Sequence, residues 1–438
     1  MQRSIIRTKI VSKQRQHKPI SHTGTGVKLS ERSKLPPFLA LDVLQQAQAL
    51  GQAGRDIIHL EIGQPSTAAP EPVNQALKQH LDDRSAHGYT VAFGETALRA
   101  AIAGHYDSWY GTRPPVDNIA VTVGSSTAFA VAFMAAFDAG DVIAIPRPGY
   151  PAYRNLMMGM GLTPRHISAG PEQGWKPMLE EMESWDRLPE GMMIASPSNP
   201  TGTVLDSTEL HTICAWCDRN GVRLISDEIY HGLAFSKTCD TALNYNKDAI
   251  IINSFSKYFS MTGWRIGWMI LPDQLIEASQ KLIQNLFISA PTAIQRACVS
   301  AFECYDEFEA HKIRYQQNRD LLLSGLPRQM TDSAAPSDGA FYLYADISSL
   351  TDDSISFAKA LLQDESVATT PGVDFDPIDG HKYLRLSFAG SPDHIEEAVR
   401  RINRFIGQQK SAVAWVQIFA KHSQNEKTLH LNAAFFHF

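Results

Sequence analysis

One lysine stands where a lysine side chain could act as a nucleophile. Lys257 follows the apolar run at 249–252, which predicts a buried strand, and a short Ser/Asn-rich turn. Its neighbours in sequence are largely apolar or aromatic, among them Phe255, Phe259 and Trp264. Because a poorly hydrated site disfavours the ammonium, the neutral and nucleophilic amine becomes accessible there. Lys257 is therefore a candidate for covalent catalysis, with an ordinary surface lysine as the alternative.

Two arginines could hold anionic groups. Arg265 follows Lys257 by eight residues and supplies a fixed cation for a phosphate or a carboxylate. Arg385 alternates with Leu384 and Leu386 on a predicted buried strand, so its guanidinium requires an anionic partner. That partner is either a substrate carboxylate or the acid of an interdomain salt bridge.

Polar and aromatic residues also follow other predicted strands. Ser125 and Ser126 lie where a strand meets a helix N-terminus, whose free N–H groups and hydroxyls suit a phosphate. A plain helix cap is the alternative there. Tyr150 offers an aromatic face after another strand, and Asn199 lies in the segment SPSNPTG, which would otherwise be an ordinary turn.

The segment SDEIY ends a further predicted strand with an acid and a phenol. An isolated carboxylate at Asp227 is costly in a crevice unless it pairs with a cation, and Tyr230 could share its direction. The alternative is a helix-capping aspartate with a packing tyrosine. Taken together, a phosphate cradle, a stacking ring, a buried acid, a phenol, a lysine and two arginines suit a phosphorylated pyridine aldehyde.

The predicted elements place these groups at one edge of a sheet. From Ile119 to Leu271 strands alternate with helices, which predicts an α/β fold with a mostly parallel sheet covered by helices on both faces. In such sheets ligands bind at the carboxyl ends of the strands. After Pro291 a helix over 292–326, followed by strands over 339–346 and 383–388, predicts a smaller α+β domain.

The sequence resembles the class I aminotransferases of the pyridoxal-phosphate fold type I superfamily over about residues 29–407. The most specific segments are SFSKYFSMTGWRIGW, SPSNPTG and SDEIY, which occur in the family's order and spacing. The resemblance implies transfer of an amino group between an L-amino acid and a 2-oxo acid by a ping-pong mechanism, with pyridoxal 5′-phosphate as cofactor. A β-lyase on the same fold and a catalytically silent ligand-binding module are the alternatives.

The resemblance also assigns roles around the cofactor. Lys257 matches the Schiff-base lysine and general base, and Asp227 matches the acid that pairs with the pyridinium nitrogen. Asn199 and Tyr230 match the groups that bond the 3-oxygen, and Tyr150 matches the stacking aromatic.

Matches to phosphate and carboxylate ligands complete the implied site. The phosphate ligands are Ser125, Ser126, Ser254, Arg265 and, from the other subunit of a homodimer with shared active sites, Tyr89. Arg385 matches the clamp on the substrate α-carboxylate, with the N–H of Gly63 beside it. Phe38 matches a segment near the substrate entrance, which favours neutral or aromatic donors.

The resemblance and the chain's pattern divide the sequence into five parts. We expect a basic, flexible extension at 1–30, an N-terminal arm with part of the small domain at 31–62, and a large cofactor-binding domain at 63–291. The small C-terminal domain then covers 292–407, and a tail of unassigned role covers 408–438.

Composition excludes several other classes of protein. A formal net charge of −6 over 438 residues gives no basic footprint for nucleic acid, and apolar runs of strand length predict no membrane span. Five cysteines, an odd number, favour reduced thiols in the cytoplasm. The basic, acid-free segment 1–30 gives an organellar location as the alternative. No metal site is expected, because the Cys214-x-x-Cys217 pair falls within a predicted helix and has no second pair.

Overall fold

The computed structural model describes residues 28–408. Its strands are β1 (Ile58–His59), β2 (Ile119–Thr122), β3 (Val142–Arg147), β4 (Thr163–Ser168), β5 (Gly191–Ala195), β6 (Arg223–Asp227), β7 (Ile250–Ser254), β8 (Gly267–Ile270), β9 (Tyr342–Asp346), β10 (Val367–Ala368), β11 (Thr370–Pro371) and β12 (Tyr383–Ser387). Its α-helices are α1 (Leu39–Gln52), α2 (Glu71–Asp82), α3 (Thr96–Tyr110), α4 (Gly124–Ala136), α5 (Pro151–Met160), α6 (Leu179–Glu183), α7 (Ser207–Asn220), α8 (Asp273–Leu286), α9 (Thr292–Cys298), α10 (Tyr305–Gly325), α11 (Arg328–Thr331), α12 (Ser354–Glu365) and α13 (392–408).

A seven-stranded sheet carries the middle of the chain. Its strand order is β2-β8-β7-β6-β5-β3-β4. β8 runs in the opposite direction to the other six strands, which are all parallel to one another. The register sets Asp227, the last residue of β6, beside Ala195 of β5 and Ile252 of β7. The carboxyl ends of these parallel strands therefore meet at one edge, and the predicted α/β fold with a mostly parallel sheet is confirmed.

Both faces of this sheet are covered, as its uninterrupted apolar strands require. In β7, Ile250 and Ile252 belong to one core cluster, to which α4, α5 and α8 contribute. Ile251 points the other way and belongs to a second cluster, to which α3 and α7 contribute. Cys214 and Cys217 are buried within α7, where burial raises the pKa of both thiols.

Two smaller sheets join the beginning of the chain to its end. β11, β12 and β9 form an antiparallel sheet, and β1 pairs in parallel with β10 so that Ile58 lies beside Val367. The Ser387 N–H also donates to the Leu60 carbonyl at 2.8 Å. Residues near 60 are thereby fixed against β12, the strand that carries Arg385.

The single helix predicted over 292–326 is wrong. The structure breaks it into α9, a 3₁₀ turn at Val299–Glu303, and α10. Cys298 and Ala301 are fully buried at this bend, because the two helices pack against different parts of the molecule: α9 on α2 and α3, and α10 near β9. The terminal segments 1–27 and 409–438, to which the flexible extension and the tail were assigned, lie outside the described residues.

Candidate active site

A cleft of about 220 Å³ lies at the carboxyl edge of the large sheet. Asp227 ends β6, Asn199 follows β5, Lys257 follows β7, and Tyr150 follows β3. The cleft brings together ten of the twelve predicted site residues: Gly63, Ser125, Ser126, Tyr150, Asn199, Asp227, Tyr230, Lys257, Arg265 and Arg385. Residues that the sequence separates by more than 300 positions therefore line one cleft.

Asp227 presents a desolvated carboxylate to this cleft. Its side chain accepts a hydrogen bond from the Tyr153 hydroxyl and another from the Ile229 N–H at 3.1 Å, and the residue is 3% exposed. Burial raises its pKa to about 6, although these hydrogen bonds and the attraction of Lys257 oppose the rise. A positively charged group placed against Asp227 would relieve this cost.

Lys257 has an unusually accessible neutral form. Burial, followed by repulsion from Arg385 and Arg265, lowers its pKa to about 7. Its Nζ donates to the Gly63 carbonyl at 2.5 Å and lies 5.8 Å from the centre of the Tyr230 ring. A neutral amine is nucleophilic, so Lys257 can attack an electrophile or accept a proton near neutral pH.

The first turn of α4 and Arg265 meet at one end of the cleft. Gly124 has a φ of +73°, and a Cβ there would lie 2.3 Å from the Arg265 Nη2. This close approach requires glycine and places a guanidinium beside the helix N-terminus, next to Ser125 and Ser126. Free N–H groups, two hydroxyls and a cation together suit a doubly charged anion such as a phosphate monoester.

Ser254 does not line this end of the cleft. It is fully buried at the end of β7, where its hydroxyl donates to the Ile266 carbonyl at 2.8 Å and accepts from the Ser256 N–H at 3.1 Å. Ser256, which sequence reasoning did not select, lines the cleft instead. The contacts of Ser254 thus shape the turn that carries Ser256 and Lys257.

Arg385 is prepared to bind a carboxylate. It is 3% exposed, and its Cζ lies 4.5 Å from the centre of the Tyr342 ring and 4.7 Å from that of Phe375. Its guanidinium donates to Asn199 Oδ1 at 3.1 Å and to the Glu61 carbonyl. Two flanking rings hold the planar group in one orientation, which is what bidentate binding of a carboxylate requires.

Two tyrosines that sequence reasoning missed complete the polar lining. The Tyr342 hydroxyl lies 2.7 Å from that of Tyr230, and Tyr153 donates to Asp227. The sequence could have predicted Tyr153, because it follows Tyr150 by three residues at the start of α5, and residues three apart on a helix lie on the same face. Nothing in the sequence pointed to Tyr342, because it lies on β9, more than 100 residues after Tyr230.

Tyr89 does not reach the cleft of its own chain. It lies in the loop before α3, is 81% exposed, and is absent from the residues that line the cleft within 28–408.

Comparison with known proteins agrees with this geometry. The family model "Aminotransferase class I and II" matches residues 55–402. The chain belongs to the class I and II aminotransferases. It is 44% identical to the valine–pyruvate aminotransferase of Mycobacterium tuberculosis, covering 86% of this chain and 98% of that protein. It is 37% identical to the (5-formylfuran-3-yl)methyl phosphate transaminase of Methanocaldococcus jannaschii, covering 85% and 97%.

Solved structures give the same family. An aminotransferase from Mycobacterium tuberculosis superposes with a TM-score of 0.84 at 43% identity, covering 87% of this chain and all of that one. The aspartate aminotransferase of Thermus thermophilus with maleate gives 0.81 at 29% identity, covering 86% of this chain and all of that one. This aminotransferase therefore transfers an amino group between an amino acid and a 2-oxo acid. Within residues 28–408 it has no helix long and apolar enough to cross a membrane.

Proposed function

We propose that this aminotransferase uses pyridoxal 5′-phosphate and prefers amino donors with neutral, apolar side chains. The residues present fit the cofactor in three respects. The Gly124–Arg265 contact leaves a cradle for a phosphate, Asp227 is a buried carboxylate that forms no ion pair with any residue of 28–408, and the pKa of Lys257 is lowered to about 7. When bound, pyridoxal phosphate supplies an aldehyde for exchange between amines and a ring that accepts electron density from the reacting carbon.

Different side chains would then bind different parts of the cofactor. Ser125, Ser126 and Arg265 hold the phosphate, Asp227 keeps the ring nitrogen protonated, and Tyr150 covers the ring. Asn199 and Tyr230 bond the ring oxygen. The buried hydroxyl of Tyr342 lies 2.7 Å from that of Tyr230, so the two hydroxyls share a hydrogen bond that holds the Tyr230 side chain in place.

Two residues act directly on the substrates. Arg385 binds the α-carboxylate that every amino acid and 2-oxo acid shares, and the Gly63 N–H lies beside it. Lys257 would hold the cofactor through its amine, and the free amine would accept the proton from the substrate Cα. In the cofactor-free protein its pKa is lowered to about 7, so a large fraction of the amine is unprotonated at neutral pH. Because both substrates use the same groups in turn, the kinetics are ping-pong.

The lining next to Arg385 carries the proposed preference for neutral donors. Among residues 28–408, the charged side chains of the cleft are Asp227, Lys257, Arg265 and Arg385, each already assigned to the cofactor or the α-carboxylate. The remaining wall includes Phe38, Leu41 and Ile62, all apolar. A second carboxylate in the donor would be desolvated there without a cation. The name of the valine–pyruvate relative supports valine-like donors and pyruvate as acceptor.

A donor panel tests this preference. The enzyme, saturated with pyridoxal phosphate, is mixed with L-valine, L-alanine, L-phenylalanine or L-aspartate, and conversion of the bound cofactor is followed by its absorbance. We expect kcat/KM for L-valine to exceed that for L-aspartate by at least about tenfold. An equal or higher value for L-aspartate would refute the preference. Release of pyruvate and ammonia from a donor with a leaving group on Cβ, such as L-cystathionine, would instead indicate a β-lyase reaction.

We also propose two domains and a homodimer with shared active sites. The large sheet falls within 63–291, whereas the smaller sheets combine 31–62 with 292–407. Tyr89, exposed and outside its own cleft, is the residue we assign to the partner's phosphate. If Lys257→Ala and Tyr89→Ala are both poorly active, refolding them together should restore about a quarter of all sites, because one site of each heterodimer carries neither change.

The control for the dimer pairs Lys257→Ala with Arg385→Ala. Both changes fall in the same site of one chain, so every site stays damaged and no activity should return. If activity returns in this control, the shared-site proposal is wrong. It is also wrong if no activity returns in the Tyr89 mixture although heterodimers have formed. In either case Tyr89 would serve the active site of its own subunit.

We propose that the protein acts in the cytoplasm. All five cysteines are free thiols, which supports a reducing compartment. A fluorescent fusion at the C-terminus, compared with the same fusion lacking residues 1–30, distinguishes this from the organellar alternative. Organellar fluorescence that is lost on truncation would refute the proposal.

A further inference from the structure

We propose that Asp374 is a positioning residue that sets donor specificity, because it fixes the first turn of α1 and therefore the Phe38 ring over the cleft. This inference rests on the proposed preference for neutral donors. Asp374 itself does not line the cleft, so it would act through Phe38 rather than on the substrate.

The start of α1 depends on a distant carboxylate. The N-cap residue is Phe38, which has no side-chain acceptor for the free N–H groups of the first turn. Asp374 supplies both oxygens instead: Oδ1 accepts from Leu39 N and Oδ2 from Ala40 N, each at 3.2 Å. A negative charge at a helix N-terminus is also favourable for the helix dipole. Asp374, more than 300 positions away in the sequence, thus caps the N-terminus of α1.

Asp374 is itself held firmly in place. It is 1% exposed, and its carbonyl accepts from Arg154 Nη2 of α5 at 2.8 Å. The next residue, Phe375, lies against the Arg385 guanidinium, and its carbonyl accepts from Gly149 N at 3.1 Å. The pair 374–375 therefore contacts α1, the residue before Tyr150, and the carboxylate clamp.

The two elements tied to this pair meet in the cleft. The Phe38 and Tyr150 rings pack edge to face with centres 5.7 Å apart, and both line the cleft together with Leu41. Phe38, Tyr150 and Leu41 form a wall of the cleft, and a donor side chain would pack against this wall. Loss of the Asp374 carboxylate leaves two N–H groups without an acceptor, so the first turn of α1 should fray and the wall should loosen.

The charges around Asp374 are accounted for by the same contacts. Arg154 and Arg385 are the cations that act on it, and the N-terminus of α1 adds a partial positive charge. Burial raises the pKa of the Asp374 carboxyl, whereas the two N–H groups and the two arginines lower it. Burial has the larger effect, so the pKa is raised, and the N–H groups of α1 together with Arg154 and Arg385 offset part of the cost of burying the carboxylate.

Substrate kinetics of Asp374→Ala, Asp374→Asn and a matched control test the proposal. Asp374→Ala should lower the ratio of kcat/KM for L-valine to that for L-alanine about fivefold, mainly through KM, because a loosened wall loses part of the roughly tenfold or greater discrimination that an apolar pocket gives per methylene. Asp374→Asn retains one acceptor oxygen and should give a smaller change. The control, Asp376→Asn, alters a buried carboxylate two residues on that accepts from Arg147 at 3.3 Å and does not contact α1. It should leave the ratio unchanged.

A double-mutant cycle shows whether Asp374 acts through Phe38. If it does, adding Asp374→Ala to Phe38→Ala should change the valine-to-alanine ratio no further. Additive effects, or an equal loss for both donors, would overturn the inference. If Phe38→Ala lowers the ratio but neither Asp374 variant does, the proposed donor preference stands and the inference alone fails. If Phe38→Ala leaves the ratio unchanged, Phe38 does not contact the donor side chain and the inference fails, whereas the preference for neutral donors is refuted only by an equal or higher kcat/KM for L-aspartate.

Discussion

Replacing Asp227 by asparagine should stabilise the cofactor-free protein at neutral pH even though it impairs catalysis. The buried carboxyl has a pKa of about 6, against 3.8 in the absence of the fold. At about 1.4 kcal/mol per pKa unit, keeping this group ionised in the folded protein costs about 3 kcal/mol. Asparagine removes the charge and keeps both contacts, because its oxygen can accept from Ile229 N and the Tyr153 hydroxyl can accept from its amide.

The sign of the pH dependence follows from the direction of the pKa change. Because the folded-state pKa lies above the unfolded one, the folded protein binds more protons between about pH 3.8 and 6. The penalty is absent below this window and complete above it, so raising the pH through it lowers the free energy of unfolding of the wild type relative to Asp227→Asn. The advantage of the variant should grow from near zero at about pH 4 to about 3 kcal/mol at pH 8.

Urea unfolding of both cofactor-free proteins across this range, followed by tryptophan fluorescence, measures the difference. Tyr153→Phe provides the control, because it removes a hydrogen bond from the Asp227 carboxylate and should increase the penalty. Added pyridoxal phosphate should stabilise the wild type more than Asp227→Asn, since the protonated ring nitrogen requires the charge. A variant that is less stable than the wild type at pH 8, or a difference independent of pH, would refute the reasoning.

Three further predictions concern the cations of the cleft. Lys257→Ala should lose nearly all turnover and the visible absorbance of the lysine-linked cofactor, yet still retain pyridoxal phosphate through the cradle of Ser125, Ser126 and Arg265; full activity would contradict the assignment. In the cofactor-free enzyme, reductive methylation of Lys257, followed by mass spectrometry, should rise with pH around a midpoint of about 7 instead of 10.5, and a midpoint near 10 would contradict the burial argument. Arg385→Lys should raise KM by a similar factor for every donor, because lysine lacks the planar fork; a loss confined to acidic donors would place Arg385 in the side-chain pocket instead.

The strands that carry chemistry could be predicted because they are buried on both faces. β6 and β7 read as short apolar runs ending in polar residues, and their neighbours in a parallel sheet bring those ends together. β4 was missed because it is an edge strand of sequence TPRHIS, with polar side chains alternating toward solvent. β10 and β11 have two residues each, too few for any pattern to show.

Contacts between distant parts of the chain explain the remaining differences. Nothing in the sequence around Asp374 connects it to Leu39 and Ala40, because that contact exists only once the small sheets bring both ends of the chain together. Ser254 is assigned to the phosphate on resemblance and this stays a prediction; in the cofactor-free protein its hydroxyl donates to the Ile266 carbonyl in the turn after β7.

The parallel pairing of β1 with β10 has a consequence for how the protein is made. Residues 124–265, which carry the cradle, Asp227 and Lys257, are synthesised before the four strands β9 to β12 of the small sheets. Arg385 follows Arg265 by about 120 residues, which corresponds to about 6 to 24 s of translation at about 5 to 20 residues per second. α1 and β1 are synthesised first, yet their partners, β10 and Asp374, come late. A growing chain can thus contain all the cofactor ligands of its own subunit while it still lacks both Arg385 and the Asp374 carboxylate that fixes the wall.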